Sequence, residues 1–316
     1  MVQYYAKEDG RLKELEKPQP GAWVNISPPF NQEELEEVAA RFDVPLDFLT
    51  DSLDIDERSR YEVEEEARLI LINTPVLNQV EEEKDAIYTT VPVGIIIAEQ
   101  NLITITSVKN PVLKRFLDEK VKNFNPSNRK LFILQILEHN VYRFLICLKK
   151  LDLKRNLIEQ ELYHSSRNRE LKQLLSIEKS LVYFLNSLSA NDLLKMKMKR
   201  TNFLGVHQDE DLSDLFEDII IDNGQALEMA NVYNNILSGT MDTYASIISN
   251  NMNETIRRLT LITIVLAVPT LITSFYGMNV EGLPFEKNDY AVYFILLFAV
   301  ILSLLLTWYF QRKRTF

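Results

Sequence analysis

Tyr276-Gly277-Met278-Asn279 closes a run of 22 residues without a charge, Leu259 to Val280. Glycine in such a turn lets backbone carbonyls face a ligand, and the Asn279 amide adds an oxygen acceptor suited to a hard cation. The same residues also read as a helix C-cap followed by a polar loop residue. Upstream, Asn253, Ile256, Thr260, Thr263, Ala267, Thr270, Ser274 and Gly277 recur at steps of 3 and 4. At about 100° per residue they occupy an arc of about 120°. Apart from Ile256 the stripe is small or hydroxylated. Small residues let membrane helices pack closely, which is one reading. The other is an uncharged pore wall, and either requires several copies in a ring, because two helices enclose no channel. No acid lies within the run, which argues against stripping an ion of its water. Mg²⁺ dehydrates reluctantly, and a ring of amide and carbonyl oxygens can hold it through its waters.

A second set of residues stands earlier. Residues 201–256 contain ten acids and no Lys or Arg, whereas 1–108 carry 9 basic and 23 acidic groups and 109–200 carry 20 and 9. Asp211, Asp214, Asp218 and Asp222 are spaced 3, 4 and 4, which is one helical face. Carboxylates without cations in their own segment need water, another segment or bound metal ions. The face is either solvated or a site for bound cations.

These residues need elements to carry them. A second charge-free run of 22 residues, Tyr290 to Gln311, follows the first. Both match the roughly 20 apolar residues of a bilayer span. Arg257 and Arg258 precede the first run, and Arg312, Lys313 and Arg314 follow the second. The intervening loop holds Glu281, Glu286, Asp289 and only Lys287, so both termini are expected in the cytosol of a plasma or inner membrane. Read from the residues alone, the basic tail suits a set of lipid anchors. Met1 to Gly10 lacks an apolar h-region, so no signal peptide is expected.

Residues 1–108 read as mixed α/β. "AWVNIS" (22–27) is strand-like, Asn31 caps a helix over 32–42, and Pro45 opens a short second one. Strands are expected at 61–75, 87–100 and 102–107, with the unalternating runs "LILI" and "GIII" marking strands covered on both faces. From Pro111 to about Arg200 the pattern is helical, broken at Asn125-Pro126. The apolar stretch 131–151 contains Glu138, His139, Arg143, Lys149 and Lys150, and reads as a buried helix rather than a span. From about Asp211 to Tyr276 only Gly224, Gly239 and Pro269 interrupt the pattern. That implies one helix of about 100 Å at 1.5 Å per residue, running into the membrane as the first span. The expected division is an α/β domain at 1–125, a helical hairpin region at 126–208, an acidic stalk at 209–258 and spans at 259–280 and 290–311. An outer loop at 281–289 and a basic tail at 312–316 complete it.

With these residues in view, Tyr276-Gly277-Met278-Asn279 resembles the signature of the CorA family of divalent-metal transport proteins, in which Gly-Met-Asn closes the first of two C-terminal spans. Asn253-Glu254 before the span, a proline within it, Glu281 after the asparagine and the basic tail extend the likeness. The resemblance implies a cytosolic α/β/α domain, a stalk helix continuous with the first span, and a homopentameric funnel in membrane lipid. It implies passage of Mg²⁺, with Co²⁺ and Ni²⁺, down the membrane potential. Gly277, Met278 and Asn279 would form the selectivity ring, with Asn253 at the cytosolic entrance and Ile256 and Leu259 as the hydrophobic constriction. Thr260, Thr263, Ala267, Thr270 and Ser274 would line the pore. Asp218 matches the stalk aspartate that binds regulatory Mg²⁺ between subunits, with Glu81, Glu82, Glu83 or Asp85 of a neighbouring copy as partner, so that internal Mg²⁺ would close the channel; Arg312, Lys313 and Arg314 suit a basic collar at its cytosolic mouth. The basic balance of 109–200 departs from a family whose corresponding helices are often acidic. A proton-coupled Zn²⁺ transporter of the same superfamily and a membrane-tethered sensor are the alternatives; Met278 favours the magnesium branch.

Other chemistries find no footing. The eight glycines never approach GxGxxG or P-loop spacing, and Cys147, alone, can make neither an internal disulfide nor a Cys-rich zinc site. His139, His164 and His207 show no ligand spacing. No nucleophile or paired-acid motif indicates an enzyme, and a net charge of −10 without surface aromatics in the basic helices speaks against nucleic acid.

Overall fold

The computed structural model describes residues 1–78, 85–162, 168–278, 282, 284 and 290–312. It divides into two units, Met1–Met241 and Asp242–Phe316.

The first unit is built on a seven-stranded sheet in the order β2-β1-β3-β7-β6-β5-β4. β1 (Val2–Glu8) and β2 (Arg11–Leu15) form a hairpin absent from the sequence reading. Its Asp9-Gly10 turn has positive φ at both residues, the condition of a tight two-residue hairpin loop. β3 (Trp23–Ile26) joins β7 (Leu102–Thr106) in parallel, and every other pairing is antiparallel. The stretch 61–75, read as one strand, is two: β4 (Arg60–Glu64) and β5 (Ala67–Leu77) reverse at Glu65, whose φ is 51°. β6 (Tyr88–Ile97) then pairs along the length of β5. As expected of doubly covered strands, Leu69, Ile70, Leu71 and Ile72 are all fully buried.

One sheet face packs against α1 (Gln32–Phe42) and α2 (Leu46–Asp51), with Val24, Ile103, Ile105 and Leu69 meeting Leu35, Val38, Phe48 and Leu49. Asn31 accepts from the Glu34 amide at 2.7 Å and caps α1. The opposite face carries Trp23, whose ring meets Phe116, Phe124 and Phe132 edge-on and whose Nε1 donates to Thr104 Oγ1 at 2.7 Å. Those phenylalanines come from α3 (Pro111–Leu117), from the loop after it and from α4 (Arg129–Leu162). The layers are therefore α/β/α. In α4, 61% of the most apolar window is buried, against 6% in each of the later apolar helices, so this unit covers the helix itself.

α5 (Asn168–Arg200) is keyed to the sheet by a side chain acting as backbone. β4 stops at Arg60, opposite Leu71, which leaves Asn73 further along β5 without a strand on that side. The Asn191 amide takes both groups, accepting from Asn73 N at 3.1 Å and donating to Asn73 O at 2.9 Å; Asn140 of α4 adds a second donor at 3.0 Å. Buried backbone groups need such partners.

α6 runs unbroken over Glu210–Tyr276 with Gly224, Gly239 and Pro269 inside it, and α7 covers Ala291–Arg312. Asp209 Oδ1 accepts from Leu212 N at 3.1 Å and opens α6.

Candidate functional site

In the C-terminal unit, α6 is covered at Leu261, Val265, Val268, Pro269, Ile272 and Tyr276. At its end this face adjoins α7 around an apolar cavity of about 740 Å³, lined by Leu271, Ile272, Phe275, Tyr276, Phe294, Ile295 and Phe298. Thr260, Thr263, Ala267, Thr270 and Ser274 are all exposed. At about 100° per residue their mean direction lies about 180° from the covered face. Packing within the hairpin therefore does not account for the polar stripe. Asn253, Ile256 and Leu259 are exposed on the same helix. Arg258 is tied to Glu254 at 2.6 Å.

The three stripe threonines share one geometry. Thr260, Thr263 and Thr270 donate to the carbonyls of Ile256, Leu259 and Leu266 at 2.9, 2.8 and 2.8 Å. Each hydroxyl hydrogen is thus committed to its own helix, and the oxygen lone pairs are what these positions offer outward.

Gly277 ends the helix, its N–H donating to Thr273 O at 2.9 Å and Ser274 O at 3.2 Å. Its backbone is not left-handed, so it is not the conformational freedom expected of a C-cap glycine that this position uses. A Cβ there would stand 3.3 Å from Thr273 O, so space is what glycine supplies. Met278 is exposed and follows in the turn. Asn279 and Glu281 lie outside the described residues, as do Glu81, Glu82, Glu83, Lys313, Arg314 and His164. Arg312 ends α7 with its guanidinium 5.2 Å from the Trp308 ring centre.

In the N-terminal unit, Asp211, Asp214, Asp218 and Asp222 are all exposed on α6. Their face is turned by roughly 115° from the buried Phe216, Ile219, Asn223, Ala226 and Ala230, at the helical 100° per residue. Part of the acidic surplus is met from outside the segment, since Glu217 pairs with Lys199 at 3.2 Å. Asp222 also bears on Glu138 of α4, whose carboxyl is held above its ordinary range by desolvation first and by the Asp222 charge second. Among the described residues no three His, Cys, Asp or Glu side chains converge as a metal centre. Exposed carboxylates have the right chemistry for a hard cation, but the described residues of this face alone do not supply the number.

The buried groups are bland by contrast. His139 packs beside Phe116, and burial with Arg115 nearby pushes its pKa down. Cys147 is fully buried, and burial pushes its thiol up. One buried polar pair lies outside the sequence expectations. Lys195 and Asn223 are each completely buried, and Lys195 Nζ donates to Asn223 Oδ1 at 2.6 Å. The signal was available: Asn223 falls in the register of Phe216, Ile219, Ala226 and Ala230, the apolar face of α6.

An α/β/α unit whose last helix continues as an apolar segment, followed by a second apolar helix, defines the class of two-helix membrane proteins with a large folded N-terminal unit. The chain belongs to the CorA family, whose members are ion transporters: the model described as CorA-like Mg²⁺ transporter protein matches residues 19–313. It is 28% identical over 298 residues to the cobalt/magnesium transport protein CorA of Methanocaldococcus jannaschii, covering 92% of this chain and 90% of that one. The corresponding protein of Thermotoga maritima is 20% identical over 297 residues, covering 92% and 82%. The complete structure of the Methanocaldococcus jannaschii CorA magnesium transporter superposes with a TM-score of 0.80 at 25% identity, covering 99% of this chain and 98% of that one.

Proposed function

We propose that this chain assembles as a homopentameric funnel in the cell membrane and conducts Mg²⁺, with Co²⁺ and Ni²⁺, inward down the membrane potential. The observation that carries this reading is the acceptor stripe of α6, facing away from α7 with its threonine hydroxyl hydrogens committed to the helix. Around a common axis, five such stripes make a wall of lone pairs. A hydrated Mg²⁺ presents water hydrogens on every side, and that wall accepts from them without removing the water. Ile256 and Leu259 constrict the cytosolic end, where an apolar ring closes by dewetting. Asn253 guards the entrance, and Gly277, Met278 and Asn279 ring the outer mouth. Tyr276 and Glu281 flank that ring, while Arg312, Lys313 and Arg314 form the basic collar at the cytosolic face, where both termini lie.

Regulation follows from the stalk acids. Asp218, with Asp211, Asp214 and Asp222, holds Mg²⁺ against acids of a neighbouring copy, drawn from Glu81, Glu82, Glu83 or Asp85. Occupancy favours the closed ring by differential binding, so internal Mg²⁺ shuts the pore.

The test is Mg²⁺ entry into proteoliposomes under an inside-negative potential, read by a trapped dye, for wild type and Asn279→Ala. Potential-driven entry abolished by the substitution supports the channel and its ring. Zn²⁺ entry that follows a proton gradient, with little Mg²⁺ flux, would replace it by a zinc transporter. A folded oligomer passing neither ion would leave a tethered sensor.

A further inference from the structure

The N-terminal unit holds a polar joint that the transport reading does not use. Lys195, one turn beyond the Asn191 that keys α5 to the sheet, is completely buried and makes no ion pair among the described residues; its amine donates to Asn223 Oδ1 at 2.6 Å. Asn223 Nδ2 in turn donates to Leu188 O and to Asp192 Oδ1, both at 3.1 Å. Those two acceptors fix the amide orientation and leave its oxygen for the amine. The joint grips α6 beside a residue that weakens a helix. Asn223 is followed by Gly224, a residue that costs about 1 kcal/mol relative to alanine inside a helix. Nothing lies within 4 Å of a Cβ built on Gly224, so no close contact requires glycine there.

We propose that Lys195 and Asn223 form a proton-sensitive latch, which holds the Asn223-Gly224 stretch of α6 against α5 and loosens when the lysine is protonated. A neutral amine donates this hydrogen bond at no cost in buried charge, whereas an ammonium must be desolvated to make it. Burial pushes Lys195 down from 10.5 to about 7, with Asp192 on its own helix opposing. On α6, Asp222 adjoins Asn223 in sequence and is exposed, and on α4 Glu138 is raised by burial and by the Asp222 charge. The raised Glu138 carboxyl also gains protons toward acid, so its contribution must be separated. The latch stands whether or not the chain conducts ions.

Hydrogen exchange of the full chain in lipid nanodiscs tests it, with intrinsic exchange rates corrected for pH. The opened segment keeps the lysine protonated throughout, while the closed latch takes up its proton only near neutrality. Opening of the segment around 216–230 should therefore rise about tenfold from about pH 8 to about pH 6. Lys195→Met should abolish that dependence, and Glu138→Gln should leave it in place. Gly224→Ala should lower opening at both pH values while keeping their ratio. A dependence that survives Lys195→Met, or that disappears in Glu138→Gln, would overturn the proposal.

Discussion

Replacing Lys195 with methionine should stabilise the N-terminal unit, by an amount that shrinks as pH rises. Burial moves the amine from 10.5 to about 7. At about 1.4 kcal/mol per unit, the buried ammonium costs on the order of 5 kcal/mol at and below neutrality. The sign follows from the protons bound. Between about pH 7 and 10.5 the unfolded chain keeps its proton while the folded chain has released it. Wild-type stability therefore rises with pH across that window, and below it the penalty is constant and complete. Methionine removes this penalty and fills similar space, but leaves Asn223 Oδ1 without its donor, which costs about 1–3 kcal/mol. The variant should then be about 2–4 kcal/mol more stable near pH 6, an advantage that falls by about 3 kcal/mol by pH 9. Guanidinium unfolding of the full chain in detergent checks this through Trp23, buried in the same unit, in a Trp308→Phe background. An advantage that does not change with pH, or a variant destabilised near pH 6, would refute the reasoning.

Three further outcomes follow from contacts in the structure. Gly94→Ala places a Cβ 2.0 Å from Ser52 Oγ and 2.8 Å from Ile105 Cγ2, which wedges the end of α2 off the sheet. It should lower unfolding stability by about 1–3 kcal/mol, with Ser52→Gly restoring part of the loss. Thr270→Val keeps the shape of the stripe but removes an outward acceptor, and should reduce Mg²⁺ flux severalfold while leaving thermal stability unchanged. Asp218→Asn should raise the Mg²⁺ concentration that protects the assembled protein from limited proteolysis by roughly tenfold, the effect of about 1.4 kcal/mol at one site; an unchanged concentration would remove Asp218 from the regulatory reading.

What sequence pattern revealed was whatever depends on period and on local backbone chemistry. Asn31 announces α1 because its side chain can satisfy an amide in the first turn, and the long uncharged register of α6 is visible because nothing within it breaks a helix. The 3- and 4-residue spacing likewise placed the stripe on one face, although only the covered residues of α6 show that this face points away from α7. Signals weaker than a long period were lost. The β1–β2 hairpin hides in Val2–Leu15, where charged side chains around Asp9-Gly10 blur the alternation. The turn at Glu65 was read through because a left-handed glutamate carries no compositional mark. Long-range pairing was not visible at all: no local pattern says that Asn191 completes a strand edge, or that Lys195 meets Asn223 across 28 positions.

The placement of charge along α6 has a physical logic under the channel reading. Carboxylates within the span would attract a divalent ion strongly, and conduction needs binding weak enough to leave. The uncharged stretch from Leu259 to Val280 avoids that trap and confines strong sites to the stalk, where tight binding serves as a signal rather than a step in transit. The cost of an uncharged wall is weak discrimination by sign. The threonines restore some of it: with their hydrogens held by Ile256, Leu259 and Leu266, they offer acceptors to water hydrogens around a cation and no donor to an anion. A serine or threonine free to rotate would serve either. The back-bonded rotamer is therefore the feature on which selectivity by charge would rest in the middle of the span, and Thr270→Val tests whether that feature matters separately from Asn279 at the mouth. If the valine variant conducts Mg²⁺ as wild type does, selectivity belongs to the mouth alone and the stripe serves only to let copies pack.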